Sequence, residues 1–159
     1  MDSKFHKLYI LGAGTPTPTP ERFGISFVLQ LENHFLMFDC GPATTYNLSK
    51  AGLSPVQVEY LFFSHHHFDH NADYPCFLLC RWDQSLHDAP PLFIRGPEPT
   101  LQMTEKLIGK EGAFRSDLTA RINSPASQAV YTGRGGILPR PDPNVDAHNI
   151  RFRYGERNQ

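Results

Sequence analysis

Apolar positions recur along the chain in short blocks, some alternating as strands do and some spaced as helices are. Phe5 to Leu11 reads as a buried first strand, ended by Gly12-Ala13-Gly14 and a Thr/Pro run through Pro20 that is too rich in Gly and Pro for regular structure. Ile25 to Leu31 and Phe35 to Phe38 alternate, with turn-like Glu32-Asn33-His34 between them, which predicts a hairpin. Asp39-Cys40-Gly41-Pro42 stops the third strand. Ala43 to Ala51 then reads as a helix with Gly52 just past its end, and Ser54-Pro55 opens a short helical turn. Glu59 to Ser64, built on Tyr60-Leu61-Phe62-Phe63, is a further strand. Asn71 to Trp82 suits a helix that carries Pro75 in its first turn. Pro91 to Arg95 suits a strand and Pro97 to Ile108 a helix. Beyond Gly109 the pattern weakens. Gly133 to Gly136 and Pro139 to Pro143 have loop composition, and Ile150 to Tyr154 alternates as one last strand. The order β-β-β-α-β-α-β-α predicts mixed α/β architecture, with no internal repeat.

Composition narrows this picture only a little. The chain of 159 residues suits one domain, and 40% hydrophobic content is globular rather than disordered. A formal net charge of -1 gives no global attraction to nucleic acid or to an anionic membrane. Arg134, Arg140, Arg151, Arg153 and Arg157 enrich the C-terminal part in arginine, which a solvated surface explains as well as a basic patch does. No apolar run approaches the roughly 20 residues needed to span a bilayer. The polar start Met1 to Lys7 lacks a secretory pattern, so a cytoplasmic location is expected. Cys40, Cys76 and Cys80 form no CxxC pair and read as free buried thiols. Cys76 and Cys80, four apart, would share a helix face, and core packing is the expectation.

The chemistry is concentrated in Ser64-His65-His66-His67-Phe68-Asp69-His70, directly after the apolar strand. With its spacing this is His-x-His-x-Asp-His. In extended chain His65 and His67 leave the same side and can chelate one ion at roughly 2.0–2.1 Å each. Asp69 and His70 follow where the chain turns into the next helix and can face a second ion. Imidazole with carboxylate suits zinc, and also manganese or iron. Two ions about 3.5–4 Å apart would share a hydroxide nucleophile, which Asp69 could orient or deprotonate besides ligating metal. His66 should point away from His65 and His67 and stays outside the metal set.

These residues resemble the metallo-β-lactamase superfamily of hydrolases, whose motif is His-x-His-x-Asp-His after an apolar strand. Phe38-Asp39-Cys40-Gly41 is similar to that superfamily's Asp-x-Gly turn, and the resemblance gives Asp39 the role of supporting the metal site. Leu11-Gly12-Ala13-Gly14, Pro18, Arg22 and Ser26, with Leu48 to Leu53 and Val58 to His65, resemble the ribonuclease Z and arylsulfatase-like branch, in which the Gly-rich turn packs beside the active site. The resemblance covers residues 5–95, and 110–159 is expected to be a weakly structured extension of a single incomplete domain. Two departures stand out. Gly41-Pro42 replaces the branch's Gly-Glu, and Ala72-Asp73-Tyr74-Pro75 replaces its Gly-Leu-Pro.

The resemblance implies a four-layer αββα sandwich of two similar halves with the site between them, of which this chain supplies the first half plus a short extension. It also implies a later His, a bridging Asp and a final His as ligands, and no Asp or His follows His148. His148 is the candidate for the later ligand, while the loop composition of residues 142–147 suits a surface residue instead. The uncovered sheet would call for a homo-oligomer or a partner chain. One expectation is thus a zinc-dependent hydrolase of phosphodiester or related ester bonds, using a metal-bound hydroxide and two ions in the complete site. The other is a catalytically incomplete metal-binding or interaction module. A small ester or phosphodiester is the expected substrate. RNA would call for a basic, Gly-rich arm, and Gly133 to Gly136 is too short for one.

Overall fold

The computed structural model describes residues 6–85, 89–123 and 142–150. It contains a six-stranded sheet with strand order β1 to β6 in sequence order. β1 (His6–Ala13), β2 (Ile25–Leu31) and β3 (His34–Phe38) form an antiparallel meander. β4 (Val58–Phe62), β5 (Leu92–Gly96) and β6 (Val145–Asn149) then add in parallel to β3. Parallel neighbours need crossovers. The first crossover is α1 (Thr44–Lys50) with a 3-10 turn at Pro55–Gln57. The second is α2 (Phe68–Asn71) with α3 (Tyr74–Gln84), and the third contains α4 (Thr100–Ile108) and α5 (Arg115–Asn123).

Local chemistry explains the boundaries. Gly52 at φ 75 ends α1, and the Leu53 N–H reaches back to the Leu48 carbonyl at 3.1 Å. Ser54 and Gln57 form a capping box around the 3-10 turn. The helix expected over Asn71 to Trp82 is instead two pieces. α2 begins inside the metal motif, and α3 begins at Tyr74 with Pro75 in its first turn. The helix expected from Pro97 starts only at Thr100, because Pro99 disfavours helical backbone at Glu98, and a turn closes from Thr100 N–H to the Pro97 carbonyl at 2.9 Å. Beyond Gly109, where the pattern weakens, the structure places α5 and β6. Residues 145–147, read from composition as loop, pair with Leu92, Phe93 and Ile94 as the edge of the sheet. Of the strand expected over Ile150 to Tyr154, residues 151–154 lie outside the described residues.

The two faces of the sheet differ. Val28, Met37, Leu61 and Ile94 point to one side, where they pack with Leu48, Phe77, Leu78 and Leu118 of the helices in a single buried cluster. On the other side the alternating partners Phe27, Phe38, Phe62, Tyr60 and Phe93 form a continuous row of stacked rings, 4.9 to 6.4 Å between successive centroids. Leu8 and Ile10 extend this apolar face on β1 at 54% and 60% exposed. The chain thus forms an αβ half-sandwich whose second sheet face is apolar.

The cysteines depart from expectation. Cys76 and Cys80 do share a face, with their Sγ atoms 3.9 Å apart, but Cys76 is exposed and only Cys40 is fully buried. The inner face of α3 is formed by Tyr74, Phe77, Leu78, Arg81 and Trp82. Partial burial, foremost, pushes the Cys80 thiol up to about 11.

Candidate metal centre

The loops that follow β3, β4 and β5 meet at the carboxyl ends of these parallel strands, where open α/β sheets bind ligands. The turn after β3 clasps the loop after β4 with consecutive residues. Asp39, 4% exposed, takes the left-handed conformation at φ 57, which Asp tolerates better than most residues. Its Oδ1 accepts the Ser64 N–H at 2.8 Å, and its Oδ2 accepts the Ser64 hydroxyl at 2.8 Å and His70 Nδ1 at 2.8 Å. Cys40 donates its N–H to the His70 carbonyl at 2.7 Å, and its own carbonyl accepts the Asp73 N–H at 3.1 Å.

These bonds assign tautomers. A carboxylate only accepts, so His70 carries its hydrogen on Nδ1 and presents a lone pair at Nε2. Ser64 gives its hydroxyl hydrogen to Asp39, so its oxygen accepts from His65 Nδ1 at 3.0 Å. His65 Nε2 is therefore also a lone pair. Through one direct and one relayed bond, Asp39 leaves the Nε2 lone pair of both imidazoles free to accept.

The ligating ends converge. His65 Nε2 lies 3.1 Å from His67 Nδ1, and the ring of His70 is 4.0 Å from that of His65. Two nitrogens of one tetrahedral ion stand about 3.3 Å apart, so the His65–His67 spacing suits a shared ion. Asp69 is 4% exposed, with Oδ2 3.5 Å from His70 Nε2. Its Oδ1 is buried with no hydrogen-bond partner. A buried acceptor without a partner costs about 1–3 kcal/mol, and more if charged, unless a cation meets it. An orphan oxygen on the carboxylate that reaches His70, whose ring adjoins that of His65, suits a metal ion. As the described residues are placed, no group of three or more His, Cys, Asp or Glu side chains is arranged to hold one metal ion.

His148 is not brought to this cluster. It sits on β6 opposite Arg95, which pairs in turn with Phe62, so two strand spacings, roughly 10 Å, separate it from the strand that leads into the motif. Its Nε2 is 2.5 Å from Asp146 Oδ1. Asp146 in turn faces Arg95, whose guanidinium foremost holds this carboxyl below its usual range.

Ser64 and Asp73 are the supporting residues that sequence reasoning passed over. Asp73, where the chain departs from the branch, accepts the Thr45 N–H at the start of α1 at 2.6 Å and so ties the first crossover to the second. A serine next to a His cluster and an Asp before a helical Pro carry no pattern of their own, because their partners are 25 and 28 residues away. Beside the cluster an apolar cavity of ≈ 310 Å³ is lined by Phe27, Phe38, Phe62, Phe63 and Ile150, with Asp39 and Ser64 at its polar end.

Known proteins agree with this geometry. Ribonuclease Z of Pyrococcus abyssi (strain GE5 / Orsay) is 32% identical over 125 residues, 77% of this chain and 39% of that protein. Ribonuclease Z of Mycobacterium sp. (strain KMS) is 32% identical over 113 residues, 71% of this chain and 39% of the relative. The chain thus spans about two fifths of the length of the curated relatives it matches. Among solved structures, the short form of human tRNase Z superposes with a TM-score of 0.55 at 32% identity, covering 60% of this chain and 36% of that one. The metallo-β-lactamase fold protein YhfI from Bacillus subtilis reaches 0.56 at 22% identity, covering 64% and 42%, which supports the fold. Fold and relatives define part of a metallo-β-lactamase superfamily, ribonuclease Z-like protein. The chain belongs to the family described as Anti-Pycsar protein Apyc1, whose model matches residues 6–95.

Among the described residues no helix is long and apolar enough to cross a membrane.

Proposed function

We propose that this chain forms the metal-binding half of a zinc-dependent hydrolase that cleaves phosphodiester or related ester bonds. The observation that carries the reading is the orphan Asp69 Oδ1, on a buried carboxylate whose Oδ2 lies 3.5 Å from His70 Nε2, with the His65 ring against those of His67 and His70. These four residues would hold a divalent ion and contribute to a second, with manganese or iron as alternative occupants. When bound, the metal supplies an activated water at neutral pH and neutralises charge that develops on the ester oxygens. Asp69 would orient the attacking water and accept its proton. Asp39 keeps His65 and His70 in their ligating tautomers. Balanced charge argues for a small ester or phosphodiester over RNA as the substrate.

The test is metal content together with turnover of bis(p-nitrophenyl) phosphate. The expected result is zinc-dependent hydrolysis that His67→Ala reduces to background. Zinc held by the parent without any turnover would instead support the second reading, a catalytically incomplete metal-binding module.

The apolar outer face bears on partners. Leu8, Ile10 and the aromatic row form a contiguous patch of a kind that soluble proteins cover. We expect the 159-residue chain alone to self-associate through it. In sedimentation velocity, Phe38→Lys combined with Phe62→Lys should return the chain to monomer. A parent that stays monomeric at high concentration would refute this.

A further inference from the structure

The middle histidine of the motif has no role in the metal reading. The alternation that sends His65 and His67 to one side sends His66 to the other, toward the turn between β5 and α4. There its Nε2 lies 2.7 Å from Thr100 Oγ1 and 3.3 Å from the Pro97 carbonyl. The Thr100 hydroxyl donates to that same carbonyl at 2.6 Å, so its hydrogen is committed and its oxygen accepts from His66 Nε2–H. The remaining lone pair at His66 Nδ1 faces the Asn71 side-chain amide at 3.4 Å. Both ring nitrogens thus have assigned partners, one on α4 and one at the end of α2. Phe63 lies under the ring at 5.1 Å between centroids. The recess is tight: Thr100 is fully buried, and a Cβ added at Gly96 would come 2.5 Å from Thr100 Oγ1 and 2.8 Å from Phe63 Cβ.

From Ser64 to His67 the chain is neither helix nor strand, so side-chain anchors must set its course. We propose that His66 is a positioning residue: its hydrogen bond to Thr100 fastens the loop between the two ligating histidines and thereby aims both imidazoles. Fixing the residue between two ligands fixes the direction of each, which preorganises the pair before an ion arrives. The consequence for metal rests on His65 and His67 being ligands, whereas the fastening of the loop does not.

The variants are His66→Leu, which removes both nitrogens; His66→Gln, whose amide can still donate to Thr100; and Thr100→Val, which removes the acceptor at similar shape. NMR order parameters of residues 64–67 in the metal-free protein give one readout. Affinity for Co2+, a spectroscopic stand-in for zinc, gives the other together with its visible absorption bands. We expect His66→Leu and Thr100→Val each to lower the order parameters from about 0.85 toward 0.6. Each should weaken Co2+ binding about tenfold and change the bands. The double variant should be no worse than His66→Leu alone, because that variant has already lost the bond to Thr100. His66→Gln should restore most of the order. Unchanged order parameters in folded His66→Leu, or additive losses in the double variant, would overturn the proposal. If His66→Leu fails to fold, the contrast between Thr100→Val and His66→Gln decides. If the parent binds no Co2+ at all, the metal reading falls, and loop order alone judges His66.

Discussion

Asp39→Asn is expected to lower divalent-metal affinity roughly 10–100-fold while leaving the chain folded. The reason lies in what a carboxylate does that an amide cannot. Asp39 accepts three hydrogen bonds, from the Ser64 N–H, the Ser64 hydroxyl and His70 Nδ1. Asparagine keeps one acceptor oxygen and turns the other position into a donor. With its oxygen retained by the Ser64 N–H, its NH2 confronts His70 Nδ1. The imidazole then relieves the clash by moving its hydrogen to Nε2, the nitrogen that faces Asp69, and the lone pair needed by a metal is gone. Asn also tolerates the left-handed backbone at φ 57, so the substitution isolates chemistry from strain. Asp39→Ala adds both costs: donors without an acceptor and a Cβ residue without local support at positive φ. It should destabilise by about 3 kcal/mol or more. Metal titration, 15N shifts of the His70 ring and a denaturant melt separate these effects. An Asp39→Asn variant that binds metal as tightly as the parent, with the His70 tautomer unmoved, would show that Asp39 only holds the turn together.

The sequence made one half of this architecture legible and concealed the other, for physical reasons. β2, β3, α1 and its Gly52 stop were readable because alternation, helical spacing and a cap are local signals. The run His65 to His70 stood out because four potential donors fall within six residues, and the structure sets the His65 ring against those of His67 and His70. β6 was not, since Asp146 and His148 face outward while only Val145 and Ala147 pack inward; on an edge strand this leaves two small apolar residues and composition that mimics a loop. α5 was hidden for a similar reason, as Arg115, Ser116, Asp117 and Arg121 dilute an inner face represented chiefly by the fully buried Leu118. The site shows the same division. Asp39 was singled out by resemblance, but its grip on Ser64 and His70 spans 25 and 31 residues. The anchor of His66 on Thr100 spans 34, and no periodicity connects them.

Gly41→Ala is expected to destabilise more than alanine at any other glycine among the described residues, by about 4 kcal/mol or more. An added Cβ at Gly41 would overlap the Asp69 carbonyl oxygen and come 2.5 Å from the Ile25 nitrogen and 2.9 Å from the Ile25 oxygen. All three are backbone atoms, so no side-chain rotation offers relief. The Gly41 N–H also donates to the Ile25 carbonyl at 3.0 Å, which prevents the turn from backing away without breaking a bond to the sheet. The close approach thus joins β2, the turn after β3 and the metal loop at one point, and explains physically why the Asp-x-Gly turn needs its glycine two residues after Asp39. Gly52→Ala provides the control. Its Cβ would meet nothing within 4 Å, yet its φ of 75 is left-handed, so it should cost only the strain of about 1–2 kcal/mol. Urea denaturation of the two variants separates steric exclusion from backbone strain. If Gly41→Ala costs no more than Gly52→Ala, Asp69 is not pressed against the turn, and the support of the metal loop must come from the Asp39 and Cys40 hydrogen bonds alone.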